Sequence, residues 1–140
     1  MNNIPASFKH KPEILAPAGG MEAALAAFAA GADAVYLGLK HFSARMQAEN
    51  FSLTDLAGLA ELARAENRKI YIALNTVLKS DDLAPAGRLM ARLARDVKPH
   101  ALIIQDIGAV DLARQAGFTG ELHLSTLANV THPAGLAEAA

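Results

Sequence analysis

Short apolar stretches alternate with longer alanine- and leucine-rich stretches along the chain from Glu13 onward. The short stretches predict five β-strands, at residues 13–16, 34–37, 69–74, 101–105 and 121–125. Each is short enough to be a strand that is buried on both faces. This regular alternation of strands with helical stretches is typical of βα units built on a parallel sheet.

The stretches between these strands predict helices. Residues 21–30 contain few β-branched residues and end at Gly31, which favours a helix stop. Ser52 and Asp55 precede apolar positions on one helical face and predict a second helix to about residue 67. A third helix is predicted after residues 80–82, a fourth at 108–116, and the first turns of a fifth at 133–140.

Five strands with intervening helices match the N-terminal portion of an α/β fold, the (β/α)8 or TIM-type barrel. We therefore divide the chain into an N-terminal extension, residues 1–12, and a truncated barrel domain, residues 13–140. The fifth helix reaches the last residue without a Gly or Asn cap, which indicates truncation. A doubly wound sheet is the competing architecture, but no Gly-x-Gly-x-x-Gly motif follows the first strand.

A truncated barrel needs partners for its first and fifth strands, because unpaired strand edges promote association with other chains. We expect the downstream half of the same barrel to be the natural partner. The isolated chain is expected to self-associate and to be inactive by itself.

Composition narrows the possible functions. The net formal charge is −1, which gives no general electrostatic reason to bind RNA or an anionic membrane. No stretch approaches the ~20 apolar residues that span a bilayer, and the first residues lack the apolar core of a secretory signal, so we expect a cytoplasmic protein. The chain has no cysteine, so it cannot itself ligate an iron–sulfur cluster through thiolates.

Candidate site residues follow the predicted strands, where barrel enzymes carry their chemistry. They are Arg45, Asn75, Asp106, Ser125 and Asn129. Asp106 could equally cap the fourth helix, and Arg45 could equally pair with Glu49. The Gly19-Gly20 pair after the first strand is open to two interpretations, a tight turn or an anion-binding loop.

Two other kinds of site are less favoured. Asp106, His123 and Ser125 are the residue types of a hydrolase triad. However, His123 and Ser125 would lie about 6–7 Å apart on one strand face, whereas a nucleophile and its base need roughly 2.6–3.2 Å. The five histidines show no zinc-binding spacing, so we expect no metal site within this chain.

A basic stripe lies on the predicted third helix, at Arg88, Arg92 and Arg95. Charged residues at helical spacing usually face water, so a solvated surface is the first interpretation. A surface that binds RNA or a protein partner is the alternative.

Seven short motifs occur along the chain in a fixed order: EILAPAG at 13–19, GADAVYLG at 31–38, NFS at 50–52, YIALN at 71–75, DIG at 106–108, HLST at 123–126 and ANVT at 128–131. In order and spacing they resemble the collagenase-like peptidase family, peptidase U32. The chain departs from the family pattern at Gly20, where Asn is usual, and at Leu127, where Gln is usual.

The resemblance implies a (β/α) barrel and two competing activities. Some members of the family are called peptidases. Others are oxygen-independent hydroxylases of RNA bases or ubiquinone precursors, some with an iron–sulfur cluster held by cysteines in later sequence. We therefore expect the N-terminal half of a U32 enzyme whose substrate is RNA, a quinone precursor or a peptide, and we favour hydroxylation. The alternative is a non-catalytic binding module that uses the Arg88, Arg92 and Arg95 face.

Overall fold

A computed structural model describes residues 11–39, 41–43 and 51–139. The strands are β1 (Leu15–Pro17), β2 (Ala34–Gly38), β3 (Lys69–Leu74), β4 (Ala101–Ile104) and β5 (Glu121–Leu124). The helices are α1 (Met21–Ala29), α2 (Leu53–Ala65), α3 (Leu83–Arg92), α4 (Gly108–Gln115) and α5 (Pro133–Ala139). Short helical turns occupy Ser80–Asp82, Leu93–Val97 and Thr126–Ala128.

The five strands form one parallel sheet in the order β1-β2-β3-β4-β5, so each strand pairs with the one before it in the chain. A helix follows every strand, as the alternation of the sequence predicts. The α/β class and the five parallel strands are thereby confirmed. The arrangement is consistent with part of a TIM-type barrel, and β1 and β5 form the two edges of the described sheet.

Side chains of the strands alternate between two faces of the sheet. The outer face packs against the helices in the main hydrophobic core, which includes Leu37, Ile70, Ile72, Leu102 and Ile104 from the strands together with Leu56, Leu59, Met90 and Leu93 from the helices. The inner face carries a smaller cluster formed by Ala34, Tyr71 and Ala101, with Tyr36 and Ile103 packed against it. The central strands β2, β3 and β4 are largely buried on both faces, which explains their nearly continuous apolar runs.

Helix caps fix several boundaries. Ser52 and Asp55 form a reciprocal capping box at the start of α2, with the Ser52 hydroxyl accepting from the Asp55 amide at 3.1 Å and the Asp55 carboxylate accepting from the Ser52 amide at 3.0 Å. The third helix is preceded by a 3₁₀ turn, where the Asp82 carboxylate accepts from the Lys79 amide at 2.9 Å. That helix then widens into a π-helical turn, which ends at Lys98 in the left-handed conformation (φ 54°).

Some predicted boundaries differ by one or two residues. β1 begins at Leu15, because the Ile14 amide donates to the Asp33 side-chain carboxylate at 2.8 Å and not to a backbone carbonyl of the neighbouring strand. β5 ends at Leu124 because Ser125 turns to cap the next helical turn. None of the helices in the described part of the chain is long and apolar enough to cross a membrane.

Candidate functional site

A cavity of about 650 Å³ lies on the inner face of the sheet at the carboxyl ends of the strands. Strands β1, β2, β3 and β5 and the loops that follow them supply most of its walls. The residues that line it include Pro17, Gly19, Tyr36, Gly38, Ser43, Ala73, Asn75, Ile103, His123, Leu124, Ser125 and Leu127. Parallel α/β proteins place their ligands at this end of the sheet.

The depth of the cavity follows from side-chain size. Gly38 and Ala73 occupy paired positions on neighbouring strands and leave the upper inner face open. Tyr36 and Ile103 have larger side chains than Gly38 and Ala73, and they form apolar parts of the cavity wall. A planar or partly apolar ligand fits such a cavity, and a few polar groups at the strand ends can orient it.

Two of the predicted site residues, Asn75 and Ser125, line this cavity together. Asn75 comes directly after β3, and Ser125 directly after β5. Ser125 is 8% exposed, its amide donates to the Ile104 carbonyl at 2.7 Å, and its hydroxyl accepts from the Leu127 amide at 3.2 Å. The hydroxyl is therefore held in a fixed position on the wall.

Asp106 is placed differently, since it is not among the residues that line the cavity. One carboxylate oxygen accepts from the Gly108 amide at 2.9 Å, at the start of α4. The other accepts from the Leu78 amide at 3.1 Å, in the loop after β3. Both oxygens bind backbone amides, which is the capping role that the sequence left open.

The last two predicted residues do not join the cavity in the described structure. Asn129 is exposed, ends the turn Thr126–Ala128 and has a left-handed backbone (φ 56°), a conformation that Asn adopts more easily than most residues. Arg45 lies outside the described residues. A role of either residue in substrate binding stays a prediction.

His123 lines the cavity but does not pair with Ser125. Its Nε2 atom lies 2.8 Å from a Glu121 carboxylate oxygen. Its ring meets the Tyr71 ring edge-on, with 5.0 Å between the centroids. Asp106, His123 and Ser125 therefore bond to three different sets of partners, and no hydrolase triad forms among them.

Charged and polar groups join Glu13, just before β1, to the amino end of β3. The Lys69 ammonium lies 2.7 Å from the Glu13 carboxylate, and the Tyr71 hydroxyl donates to the same carboxylate. Burial together with the Glu13 carboxylate raises the pKa of Tyr71 to about 12. Burial alone would raise the pKa of Glu13, but the hydrogen bonds from Lys69 and Tyr71 outweigh it and lower that pKa.

Other candidate chemistry is sparse. Among the described residues, no group of three or more His, Asp or Glu side chains is close enough to hold a metal ion. The basic stripe lies on α3 and the turn after it, away from the cavity lining, and its Arg95 binds Asp96 through two contacts of 2.7 and 2.9 Å. Its Arg88 and Arg92 are exposed.

Several cavity residues did not stand out in the sequence. Tyr36 and Gly38 lie on the inner face of β2, two residues apart, and the period of a strand could have indicated them. Ser43 lies in a loop, where no periodic pattern exists. Leu127 stands on the cavity wall, at the position where the resembled family usually has Gln.

The structure is that of an α/β protein of consecutive βα units, with a cavity at the carboxyl ends of the strands. The profile of Peptidase family U32 matches residues 19–138. The chain belongs to this family. No solved structure matches the chain.

Curated relatives carry names of two kinds. A protein named collagenase from Porphyromonas gingivalis is 37% identical over 125 residues, which cover 89% of this chain and 30% of the relative. The 23S rRNA 5-hydroxycytidine C2501 synthase of Escherichia coli is 41% identical over 121 residues, which cover 86% of this chain and 18% of the relative. The tRNA hydroxylation protein P of Escherichia coli is 34% identical over 128 residues, which cover 87% of this chain and 27% of the relative. The chain thus spans less than a third of each of these relatives.

Proposed function

We propose that this chain is the N-terminal part of a U32-family enzyme that hydroxylates a base of RNA without molecular oxygen. The observation that carries the proposal is the cavity at the carboxyl ends of the strands. Enzymes that modify a base within RNA must take that base out of its stack and enclose it. We assign that enclosure to this cavity, within a barrel that later strands complete.

The cavity lining suits a nucleobase. Tyr36 and Ile103 offer apolar and aromatic surface against which a flat ring can pack. Asn75 and Ser125 place an amide and a hydroxyl on the same wall, where they can bond to the polar edge of a base. Names of relatives that refer to rRNA and tRNA hydroxylation support this choice of substrate.

Hydroxylation replaces a C–H bond of the base with a C–OH bond, which is a two-electron oxidation. With an organic hydroxyl donor the balance is base–H plus donor–OH giving base–OH plus donor–H. Within this chain we assign only binding and orientation of the base, in the cytoplasm, where RNA is present.

The described residues do not fit an iron–sulfur cluster, because the chain has no cysteine and no group of other ligands comes together among the residues described. We propose that any cluster is ligated by cysteines in a later part of the protein. A quinone precursor is also a ring that such a cavity would accept, but the names of the relatives above favour RNA.

Peptidase activity is the second candidate, and the relative named collagenase favours it. It would need a nucleophile or an activated water other than this set, since Asp106, His123 and Ser125 bond to other partners. The alternative of a binding module on the Arg88, Arg92 and Arg95 face receives no support from these relatives, which are named for chemistry.

Mass spectrometry of nucleosides tests the proposal. Ribosomal and transfer RNA from cells with and without the protein are digested and compared. We expect one nucleoside to lose the mass of an oxygen atom when the protein is absent. The wild type and Ser80→Ala, an exposed position away from the cavity, should restore it, and Asn75→Ala should restore it poorly. Unchanged RNA, with gelatin cleavage by the purified protein, would establish the peptidase instead.

A further inference from the structure

The hydroxyl of Ser43 is an unused polar group in the wall of the cavity. Ser43 is only 3% exposed, and it lines the cavity beside Gly38. Its Oγ atom lies 2.3 Å from the place that a Cβ atom on Gly38 would occupy, so glycine at that position makes room for it. No hydrogen bond between described residues uses this hydroxyl.

The orientation of the hydroxyl follows from its surroundings. In the described part of the chain, no fully enclosed side-chain oxygen or nitrogen lacks a hydrogen-bond partner. Since the Ser43 oxygen has no such partner, it is not fully enclosed and opens onto the cavity that it lines. A ligand group can therefore take the place of water at this hydroxyl.

The loop that leads into α1 lines the same cavity. Gly19 lines it, and α1 begins two residues later, at Met21. The N-cap residue is Gly20, which has no side chain to bond the first amides, and the first helical bond runs from Ala24 to the Gly20 carbonyl at 3.1 Å. By contrast, Ser52 caps α2. The amides of the first turn of α1 therefore have no acceptor among the described residues and carry the positive end of the helix dipole.

The sheet register brings these two features together. The Ala18 amide donates to the Tyr36 carbonyl at 2.8 Å, so the chain is still bonded to β2 one residue before Gly19, and both Gly19 and Gly38 line the cavity. Ser43 covers Gly38, and Gly19 leads into α1. A would-be Cβ atom on Gly19 meets no atom within 4 Å, so the space in front of this loop is open.

We propose that the Ser43 hydroxyl and the first-turn amides of α1 form an oxyanion subsite of the cavity. The group bound is a phosphate or carboxylate, because both accept hydrogen bonds from amides and hydroxyls and are favoured by the amino end of a helix. Its assignment as the phosphate of the nucleotide whose base enters the cavity rests on the proposed function. The nearest acidic residue of the helix, Glu22, is exposed and not part of the lining.

Calorimetry with defined probes tests the subsite on the protein at its natural length. The probes are inorganic phosphate, malonate, cytidine and cytidine 5′-monophosphate. We expect the nucleotide to bind about tenfold or more tightly than the nucleoside, a preference that charge-assisted hydrogen bonds can supply. Ser43→Ala should lower this preference by roughly tenfold. Ser80→Ala, an exposed serine at the start of a helical turn, should leave it unchanged.

A second measurement does not depend on a variant. In the wild-type protein, phosphate should shift the NMR signals of the Met21, Glu22 and Ala23 amides more than those of the α2 amides. Failure of phosphate, malonate and nucleotide to move these signals, or an equal affinity for nucleotide and nucleoside with no binding of free anions, would overturn the subsite.

The outcomes also separate the subsite from the proposed function. Binding of phosphate or malonate that depends on Ser43, with no binding of cytidine or its nucleotide, would support the subsite and count against RNA. Preference for malonate over phosphate would identify a carboxylate ligand and overturn the assignment to a nucleotide phosphate. Tight nucleotide binding that Ser43→Ala does not weaken would support RNA and overturn the subsite.

Discussion

The carboxylate of Asp106 accepts a hydrogen bond from the backbone amide of Leu78, 28 residues earlier in the chain, at 3.1 Å. Its other oxygen caps the start of α4 through the Gly108 amide. One side chain thereby joins the loops after β3 and β4, next to the strand ends that carry the cavity. Asp106 therefore has a structural role, since it links two loops at the carboxyl end of the sheet.

Asp106→Ala should therefore lower the free energy of unfolding by about 1–2 kcal/mol, because it removes a cap and leaves two amides without their acceptor. The stability of Asp106→Asn should lie between those of the wild type and Asp106→Ala, since the Asn side chain retains one oxygen that can accept a hydrogen bond. Urea unfolding provides the measurement, with Asp81→Ala, an exposed acid on the turn before α3, as the control. An Asp106→Ala protein as stable as the control would contradict this role.

Two glycines should respond oppositely to alanine. At Gly120 a Cβ atom would lie 2.4 Å from the Phe118 ring and 2.8 Å from the His100 carbonyl oxygen, so Gly120→Ala should cost about 1–3 kcal/mol. Gly58 is exposed within α2 and a Cβ atom there meets nothing within 4 Å, so Gly58→Ala should stabilise by up to ~1 kcal/mol. Thermal unfolding of both variants checks the prediction, which fails if the two changes have the same sign.

His100 should make stability depend on pH. Burial, with the nearby Arg64 and Lys69 charges, lowers its pKa, and its Nδ1 atom accepts a hydrogen bond from the Ile70 amide at 3.2 Å, as only the neutral ring can. In the unfolded chain the His100 ring is protonated near pH 6.5, whereas in the folded protein it is protonated only at lower pH. Stability contributed by neutral His100 is thus present above about pH 6.5 and is lost as pH falls through the lower folded-state pKa.

Denaturant titrations between neutral and mildly acidic pH measure this effect. His100→Gln should flatten the loss of stability toward acid, and His132→Gln, at an exposed position, should not. Equal slopes in the wild type and His100→Gln would rule out the assignment.

Tyr71 should ionise only near pH 12, because burial and the Glu13 carboxylate raise its pKa. A phenol in the unfolded chain ionises near pH 10, so the stability from neutral Tyr71 is complete below about pH 10 and is lost as pH rises through the folded value. Tyrosinate absorbance in a Tyr36→Phe background isolates this group, since the chain has two tyrosines. Glu13→Gln should move the midpoint down, and an unmoved midpoint would argue against the Glu13 contact.

The isolated 140-residue chain should self-associate. β1 and β5 are the edges of the described sheet, and Leu15 on β1 is 42% exposed. Unpaired edges with apolar side chains favour pairing between chains. Light scattering should report a dimer or larger species at micromolar concentration, and a well-folded monomer would contradict the expectation.

The sequence predicted the strands and helices well because their signals are local. The Ser52 and Asp55 box is readable from residue spacing, and the strand Lys69–Leu74 from a single apolar run. The roles of individual side chains were harder to predict. An Asp just after a strand can be either a helix cap or a site residue. The structural role of Asp106 becomes clear only from its hydrogen bond with the Leu78 amide, which lies 28 residues earlier in the chain.

Cavity residues, too, were predictable only where a local sequence signal marks them. Asn75 and Ser125 were predictable because each directly follows a strand on the inner face. Ser43 was not, since its significance depends on the missing side chain of Gly38, five residues earlier, and on the space that this glycine leaves.

Each strand of the sheet pairs with the strand that precedes it in the chain. During synthesis, every newly emerged βα unit can therefore dock on a surface that is already outside the ribosome, without waiting for a distant segment. Such sequential pairing keeps contacts local, which favours rapid folding. At any moment the growing sheet exposes one advancing edge and the edge of β1, so these are the surfaces that a chaperone acting on the nascent chain would need to shield.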